Sequence, residues 1–485
     1  LILLPFFITI ITIIKKRKEK KYLRRPPSLP IIGNLLSVWV ELKKLKYHHC
    51  VWQAWSQKYG DIVGLQLGFT KVVVVSGKDL IKEVSNREVF EGRPDGFMYL
   101  MRSFGKKMGI VFADGKSWQA TRRVVLKCLK NFGYGTSSME AYIAEEAAAL
   151  VNLRIEDERK PVLVNHMFDV SIINVLWRLV AGKRYELNDR RLLDLCEMIS
   201  RTFKIVDMSG GLLTFMPFLR HIIPGLIGYT EFRDINIRLY SFLRKVIDQH
   251  RTSVYVNNPR DVIDAFLIEM MENKNEAFTD EELQVVCLDL LESGTETVSN
   301  SLVFMILHLV REQDVQRKVQ QEIDDTIGHA RSPALSDRNK MVYTEAVLME
   351  VLRISSVAPV GIPHMALEDA RLGEYVIPKG TFVLLAMHDL HNGRHWKDPN
   401  TFRPERFLTK DGNLIQDEWL MPFGTGKRRC IGEGLARSEL FMFMTHLLQK
   451  FNIRVPDGDP MPSTEIVNGL TLSAKPFHVV FKQRF

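Results

Sequence analysis

The helical pattern from Thr279 to about residue 312 constrains the fold more than any other feature of the sequence. It opens with Thr279-Asp280-Glu281-Glu282, where a threonine cap is followed three residues later by a glutamate, as in a capping box. A helix of this length is well above the average for globular proteins, so the pattern predicts a central element that crosses the protein. Apolar spacing predicts further helices at residues 138–157, 163–183, 230–251, 261–273, 337–354 and 433–449.

The β content is predicted to be small. Two apolar runs, at residues 62–68 and 71–75, read as strands joined by a turn, and shorter strands are predicted at 372–376 and 381–386. The chain has 485 residues, which is enough for one large or two medium domains with a sizeable core. The fold class predicted from these patterns is mainly α with a minor β region.

The charge is concentrated in one segment. Residues 15–25 carry eight basic side chains against one acidic, so most of the net charge of +9 resides there and does not indicate nucleic-acid binding. The five cysteines, at positions 50, 128, 196, 287 and 430, are scattered and odd in number. This usage argues against a disulfide scaffold and for a reducing compartment.

The front of the chain predicts membrane attachment. Residues 1–14 are almost wholly apolar but fall short of a full transmembrane helix, so we expect a truncated anchor there. The basic run that follows predicts a cytosolic body, and a cleavable signal peptide is disfavoured because the charges follow the apolar stretch. Prolines between Pro26 and Gly33 predict a stiff connector. We therefore expect an anchor at 1–14, a basic segment and hinge at 15–33, and a catalytic domain at 34–485.

One cysteine lies in a glycine-rich basic loop with the pattern Phe423-x-x-Gly426-x-Arg428-x-Cys430-x-Gly432. The helical pattern after it places the thiol before a positive helix end, and this end and the basic neighbours favour the thiolate. No second cysteine or histidine lies within ligand spacing, which disfavours zinc and iron–sulfur sites. From Cys430 alone, an axial haem ligand and an ordinary reactive or structural thiol remain equally open.

The loop is similar to the haem-binding signature of the cytochrome P-450 monooxygenases, and the match extends from the proline hinge to the C-terminus. The chain resembles most the microsomal branch that includes animal steroid- and drug-hydroxylating enzymes, and its details fit an arthropod member. The resemblance implies a large helical domain plus a small sheet domain. It also implies haem b between the long central helix and the cysteine loop, with Cys430 as the metal ligand.

The resemblance also assigns residues to the haem propionates, which would be bound by Trp118, Arg122, His364, Arg428 and, where relatives often carry arginine, Lys106. Trp118 and Arg122 are four residues apart and would share one helical face, although an ordinary amphipathic helix gives the same spacing. Arginine suits a carboxylate because it binds it through two parallel hydrogen bonds.

A second group implied by the resemblance is structural. Glu350-x-x-Arg353 on a helix, with Arg406 some 50 residues later, matches a buried charge triad that locks the fold around the cysteine loop. Such a Glu–Arg spacing alone is common and usually marks a surface pair of little energetic value.

The catalytic pair implied by the resemblance is Glu296 and Thr297, an acid and an alcohol that deliver protons during oxygen activation. Gly294 weakens the helix here, and the Thr297 hydroxyl can bond a backbone carbonyl, so we expect a local opening of the helix. Ser293 stands where relatives carry alanine or glycine, and Val298 where they often carry threonine or serine.

Substrate and partners follow from the resemblance and from apolar segments at about 97–112, 203–225, 289–297, 357–363 and 469–473. They predict a lipophilic substrate such as a steroid, a terpenoid hormone or a xenobiotic. The expected electron route runs from NADPH through NADPH–cytochrome reductase, with cytochrome b5 as a further partner, at the cytosolic face of the endoplasmic reticulum membrane. A basic docking face is expected at Arg122, Arg123, Lys127, Lys130 and Lys427.

Two other functions remain as alternatives. A haem-thiolate isomerase or dehydratase would rearrange peroxides without a reductase, but such relatives often lack the acid–threonine pair. A non-catalytic haem sensor or carrier would not need that pair at all. The Glu296-Thr297 dipeptide therefore favours the monooxygenase.

Overall fold

The computed structural model describes residues 23–157, 160–205, 209–272 and 278–485. The helices in chain order are α1 Leu35–Leu45, α2 His48–Tyr59, α3 Lys78–Asn86, α4 Phe97–Met101, α5 Gly115–Asn131, α6 Ser137–Glu156, α7 Asp169–Ala181, α8 Arg190–Ile205, α9 Gly211–Phe215, α10 Tyr229–Arg251, α11 Val262–Glu272, α12 Asp280–Arg311, α13 Gln313–Thr326, α14 Val342–Ser355, α15 Met387–Asn392 and α16 Glu433–Lys450. The strands are β1 Ile62–Leu67, β2 Thr70–Val75, β3 Val162–Leu163, β4 His364–Met365, β5 Ala370–Leu372, β6 Tyr375–Ile377, β7 Phe382–Leu385, β8 Phe451–Arg454, β9 Ile466–Val467, β10 Ser473–Ala474 and β11 His478–Gln483.

The chain divides into two compact units, and of the described residues the smaller one contains 23–94, Val360–Leu390 and Gly424–Arg429. Its main sheet has the order β1-β2-β7-β4, with β2 parallel to β7 and the other pairs antiparallel. The run Val72–Val75 is buried throughout, as expected for a central strand covered on both faces.

Part of the cysteine loop belongs to this smaller unit. Its 3₁₀ turn Gly426–Arg428 packs against α3. Gly426 has φ +71°, and a Cβ there would lie 2.0 Å from the Ser85 carbonyl oxygen. The turn can therefore approach α3 this closely only with glycine at position 426.

The larger unit contains Asp95–Pro359, His391–Phe423 and Cys430–Phe485. Helix α12 is its central element and packs against α7, α10, α14 and α16. Thr279 caps it, because its hydroxyl oxygen accepts from the Glu282 backbone N–H at 3.1 Å. The reciprocal half of the predicted capping box does not form, since the buried Glu282 carboxylate accepts from Thr121 Oγ1 at 2.8 Å instead.

The predicted charge triad is confirmed. Glu350 Oε2 lies 2.7 Å from Arg353 Nε and 3.0 Å from Arg406 Nε, and the three side chains are at most 6% exposed. Arg353 also donates to the carbonyl oxygens of His391 and Pro399. The triad therefore ties α14 to the segment before the cysteine loop through bonds that satisfy a buried carboxylate.

The mainly α prediction is confirmed, with local corrections. The helix predicted from residue 337 begins at Val342, after a 3₁₀ turn at Leu335–Lys340. The strand predicted at 372–376 is wrong, because Gly373 has φ +55° and turns the chain, so that β5 and β6 form a hairpin. The helix predicted from residue 163 begins at Asp169, because Val162 and Leu163 pair with β11 instead.

The predicted anchor and most of the basic segment lie outside the described residues. The start of the connector is held by Asn34, whose Nδ2 donates to the carbonyl oxygens of Pro26 and Pro27 at 2.9 Å each. Among the residues that the structure describes, none of the helices combines the length and hydropathy needed to cross a membrane.

Candidate active site

The central helix α12 is buried along almost its whole length. Between Glu282 and Val310, only Ser293 is exposed and only Gly294 and Thr297 are half-buried, while every other residue is buried. Ser293 and Thr297 are four residues apart and share one helical face. The larger unit therefore opens beside α12 at the stretch where the sequence places the catalytic pair.

The hydroxyl groups on this face bond to the preceding turn of the helix. Ser293 Oγ donates to the Asp289 carbonyl at 2.6 Å, and Thr297 Oγ1 donates to the Ser293 carbonyl at 2.7 Å. Thr297 thus engages a backbone carbonyl as predicted, but α12 is continuous across Gly294. The local opening predicted at Gly294 is not seen, because such back-bonds are compatible with helical backbone geometry.

Glu296 is a buried acid on the neighbouring face, only 5% exposed. Burial raises its pKa to about 7, and the nearby Asp169 carboxylate acts in the same direction. Asn300 Nδ2 donates to Glu296 Oε1 at 3.0 Å and opposes this rise. A carboxyl whose pKa lies near neutrality can both hold and release a proton at working pH.

Cys430 is exposed, whereas Cys128, Cys196 and Cys287 are buried. Burial raises the pKa of each of those three thiols, which makes them poor metal ligands. The Cys430 backbone N–H donates to the Phe423 carbonyl at 3.0 Å and fixes the loop. Helix α16 begins three residues after the cysteine, so its positive end lies close to the sulfur.

Trp118 and Arg122 share one face of α5 as predicted, with the guanidinium 5.6 Å from the indole centroid. The indole N–H donates to the Ile110 carbonyl at 3.2 Å. Burial lowers the pKa of Arg122, while the Cys430 side chain raises it. Arg122 therefore lies within electrostatic reach of the cysteine, and the propionate roles of both residues stay predictions.

The other predicted propionate contacts are His364, Arg428 and Lys106. In the smaller unit, His364 is buried with Nδ1 at 2.7 Å from the Phe90 carbonyl, and burial lowers its pKa to about 3. Arg428 donates to the Glu91 carbonyl through Nε and a terminal nitrogen, at 3.1 and 2.8 Å. In the larger unit, Lys106 is exposed and pairs with Glu281 at 3.1 Å. These three assignments also stay predictions.

Known proteins match almost the whole chain. The family described as Cytochrome P450 matches residues 23–481. This chain belongs to the cytochrome P450 family.

Relatives of this cytochrome P450 align over nearly their full lengths. A Bombyx mori protein named Farnesoate epoxidase is 61% identical over 100% of this chain and 98% of its own. A Drosophila melanogaster protein named Probable cytochrome P450 305a1 is 36% identical over 96% of this chain and 95% of its own. Human Cytochrome P450 2C8 is 35% identical over 96% of this chain and 94% of its own. The protein is an oxidoreductase of the monooxygenase type, and the predicted kinship with insect and other animal members is confirmed.

The residues of this cytochrome P450 fit the haem that its family implies. Cys430 offers an accessible sulfur, which as thiolate is a soft ligand for iron. The open face of α12 and the guanidinium of Arg122 belong to the same unit as that sulfur. When bound, haem would supply the iron at which molecular oxygen is activated, and these residues would offer it a sulfur ligand, a cation and proton-bearing groups.

The sequence reading missed a buried charge cluster that holds the segment before α5 against the central helix. Arg102 donates to Asp289 Oδ1 and to Glu292 Oε2, each at 2.7 Å, and the three side chains are at most 9% exposed. The other Asp289 oxygen accepts from the Ile110 backbone N–H at 2.7 Å. The signal available in the sequence was the pair of acidic residues inside an apolar helix, which require a buried cation.

Proposed function

We propose that this cytochrome P450 epoxidises an unsaturated isoprenoid carboxylate, as the name Farnesoate epoxidase states for its Bombyx mori relative. The observation that carries the proposal is 61% identity to that protein over the whole chain. The apolar segment at about 97–112, predicted to line the substrate pocket, supports a lipophilic ligand, since Phe97 and Phe112 are only half-buried. The 61% identity to that relative favours a terpenoid over a steroid or a xenobiotic.

The chain's own groups supply protons in this scheme. In the reaction, one oxygen atom of O₂ enters the substrate and the other leaves as water, which consumes two electrons and two protons. Glu296, with its pKa near 7, holds a proton beside the open face of α12. The Thr297 hydroxyl donates to the Ser293 carbonyl, so its oxygen is oriented to accept a hydrogen bond from the open side. We assign proton supply to Glu296 and its relay to Thr297, whose O–H must leave the Ser293 carbonyl to pass a proton on.

Electrons would come from NADPH through NADPH–cytochrome reductase, with cytochrome b5 as a second donor. Arg123, Lys127 and Lys130 are exposed on α5 at spacings of four and three residues, so they form one basic stripe. Such a stripe attracts an acidic flavoprotein and raises its association rate at low salt. The endoplasmic reticulum membrane, with the catalytic domain facing the cytosol, is the location that this donor requires.

The first test is the carbon monoxide difference spectrum of the dithionite-reduced protein, compared with Cys430→Ser and with the control Cys50→Ser. We expect a strongly red-shifted Soret band that only Cys430→Ser removes. A haem spectrum without the shift would contradict ligation by Cys430.

The second test is turnover of farnesoate with NADPH and reductase, with a steroid as the competing substrate. Epoxide formation from farnesoate, matched by NADPH consumption, is the expected result. A red-shifted band together with turnover of the steroid and not of farnesoate would leave the haem-thiolate site standing and overturn the substrate.

A further inference from the structure

A tyrosine outside the predicted site reaches the backbone of the cysteine loop. Tyr134 lies in the turn between α5 and α6, and both helix ends fix it. Its backbone N–H donates to the Leu129 carbonyl at 2.9 Å, after Gly133 has turned the chain with φ +104°. Thr136 caps α6 by accepting from the Ser138 N–H. The ring of Tyr134 therefore starts from a backbone that is well fixed.

The phenol of Tyr134 lies at the start of helix α16. Its O–H donates to the Ile431 carbonyl oxygen at 2.5 Å. Burial raises the pKa of Tyr134, while the backbone at Leu435 and Gly434 acts in the opposite direction. Gly432, which precedes α16, offers no side chain to cap it. A Cβ built on Gly434 would lie 3.6 Å from the phenol oxygen, so the phenol lies beside the first turn of α16.

The carbonyl that Tyr134 bonds belongs to the peptide group between Ile431 and Gly432, the second one after Cys430. In a trans peptide, the Ile431 carbonyl and the Gly432 N–H share one plane and point in opposite directions. A Cβ built on Gly432 would lie 3.8 Å from Cys430 Sγ, so this glycine's backbone lies beside the sulfur. A hydrogen bond to the carbonyl oxygen polarises the whole amide and makes its N–H a stronger donor.

We propose that Tyr134 is a positioning residue for the cysteine ligand, which acts through the Ile431–Gly432 peptide group to strengthen an N–H···S bond to Cys430. Hydrogen bonds to a thiolate withdraw charge from it and raise the reduction potential of the metal that it binds. The hydroxyl of Tyr134 therefore sets how readily the iron is reduced. The proposal rests on haem ligation by Cys430 and not on the identity of the substrate.

The decisive variant is Tyr134→Phe, which removes the hydroxyl and keeps the ring. We expect the midpoint potential of the haem iron, measured by spectroelectrochemistry on the purified holoenzyme, to become more negative. An effect of about threefold on the oxidation–reduction equilibrium corresponds to about 28 mV, at 59 mV per tenfold for one electron. Tyr255→Phe is the matched control, because Tyr255 is 72% exposed and far along the chain. Its potential should equal that of the unmodified protein.

A second measurement separates tuning from simple support of the fold. Replacing Tyr134 by 3-fluorotyrosine keeps the ring and makes the phenol a stronger donor, so the potential should shift to more positive values. A merely structural role predicts no such reversal of sign. Equal potentials for the fluorinated, phenylalanine and unmodified proteins, each with the red-shifted carbon monoxide band, would overturn the proposal. Absence of that band in the unmodified protein would instead overturn the proposed haem ligation.

Discussion

The buried acid Glu296 provides a test in which stability and function move in opposite directions. Glu296→Gln keeps the size of the side chain and an oxygen that can accept from Asn300. It removes the ionisable group. The folded protein raises the pKa of this carboxyl from 4.5 to about 7. At about 1.4 kcal/mol per pKa unit, that rise corresponds to about 3 kcal/mol of folding free energy.

The sign follows from the proton balance. Below about pH 4.5 the carboxyl is protonated in both states, and it costs the folded protein nothing. Between about pH 4.5 and 7 the unfolded chain loses the proton while the folded protein keeps it, so the stability of the native protein falls as pH rises. Above pH 7 the loss is complete. Glutamine carries no such cost, so the variant should be more stable by about 1 kcal/mol at pH 5 and about 3 kcal/mol at pH 8.

The assay is thermal unfolding of both proteins across this pH range. With an unfolding entropy of about 2 cal/mol/K per residue, 3 kcal/mol corresponds to about 3 °C for a chain of this length. Glu186→Gln is the control, since that side chain is 81% exposed. It should give no pH-dependent difference. Product formation per NADPH by Glu296→Gln should fall at the same time. A stability difference that is equal at pH 5 and pH 8 would refute the raised pKa.

Two further variants test the buried charge triad and the buried acid Glu439. Arg353→Met leaves the Glu350 carboxylate with one cation fewer in a buried site, so we expect a loss of about 3–5 kcal/mol in unfolding free energy by urea titration, against no comparable loss for the 75% exposed Arg191→Met. A loss below about 1 kcal/mol would show that Arg406 alone satisfies the carboxylate. Burial also raises the pKa of Glu439 well above its usual range, and its Oε1 lacks a hydrogen-bond partner among the described residues. Glu439→Gln should therefore stabilise the protein increasingly as pH rises above about 4.5, by at most about 1.4 kcal/mol per pH unit, and a flat difference in melting temperature would contradict this.

The sequence predicted those features that depend on local pattern or on spaced motifs. The central helix followed from its apolar period and its threonine cap, and the triad of Glu350, Arg353 and Arg406 followed from two motifs of the family. The strand predicted at 372–376 does not form because Gly373 has a positive φ. Glycine allows this conformation but does not require it, so the sequence alone could not predict the turn. Only half of the capping box predicted at Thr279 forms, because Thr121, which is distant in sequence, bonds the Glu282 carboxylate.

Tertiary partners also explain what the sequence did not reveal. Arg102 lies nearly two hundred residues before the acids it contacts. No periodicity links positions so far apart. Tyr134 bonds a carbonyl 297 positions further along the chain, and a backbone acceptor carries no signature in residue type. Polar groups that meet only after folding therefore stay hidden from sequence patterns, whereas helices do not.

The cluster of Arg102, Asp289 and Glu292 limits the motion of the chain beside the central helix. Separating this buried cation from its two carboxylates costs about 3–5 kcal/mol, so fewer than about one molecule in a hundred has the contact broken at any moment. The chain around Arg102 is thus pinned to α12 and acts as a fixed wall. Any motion that draws this part of the chain away from the helix must first break that contact.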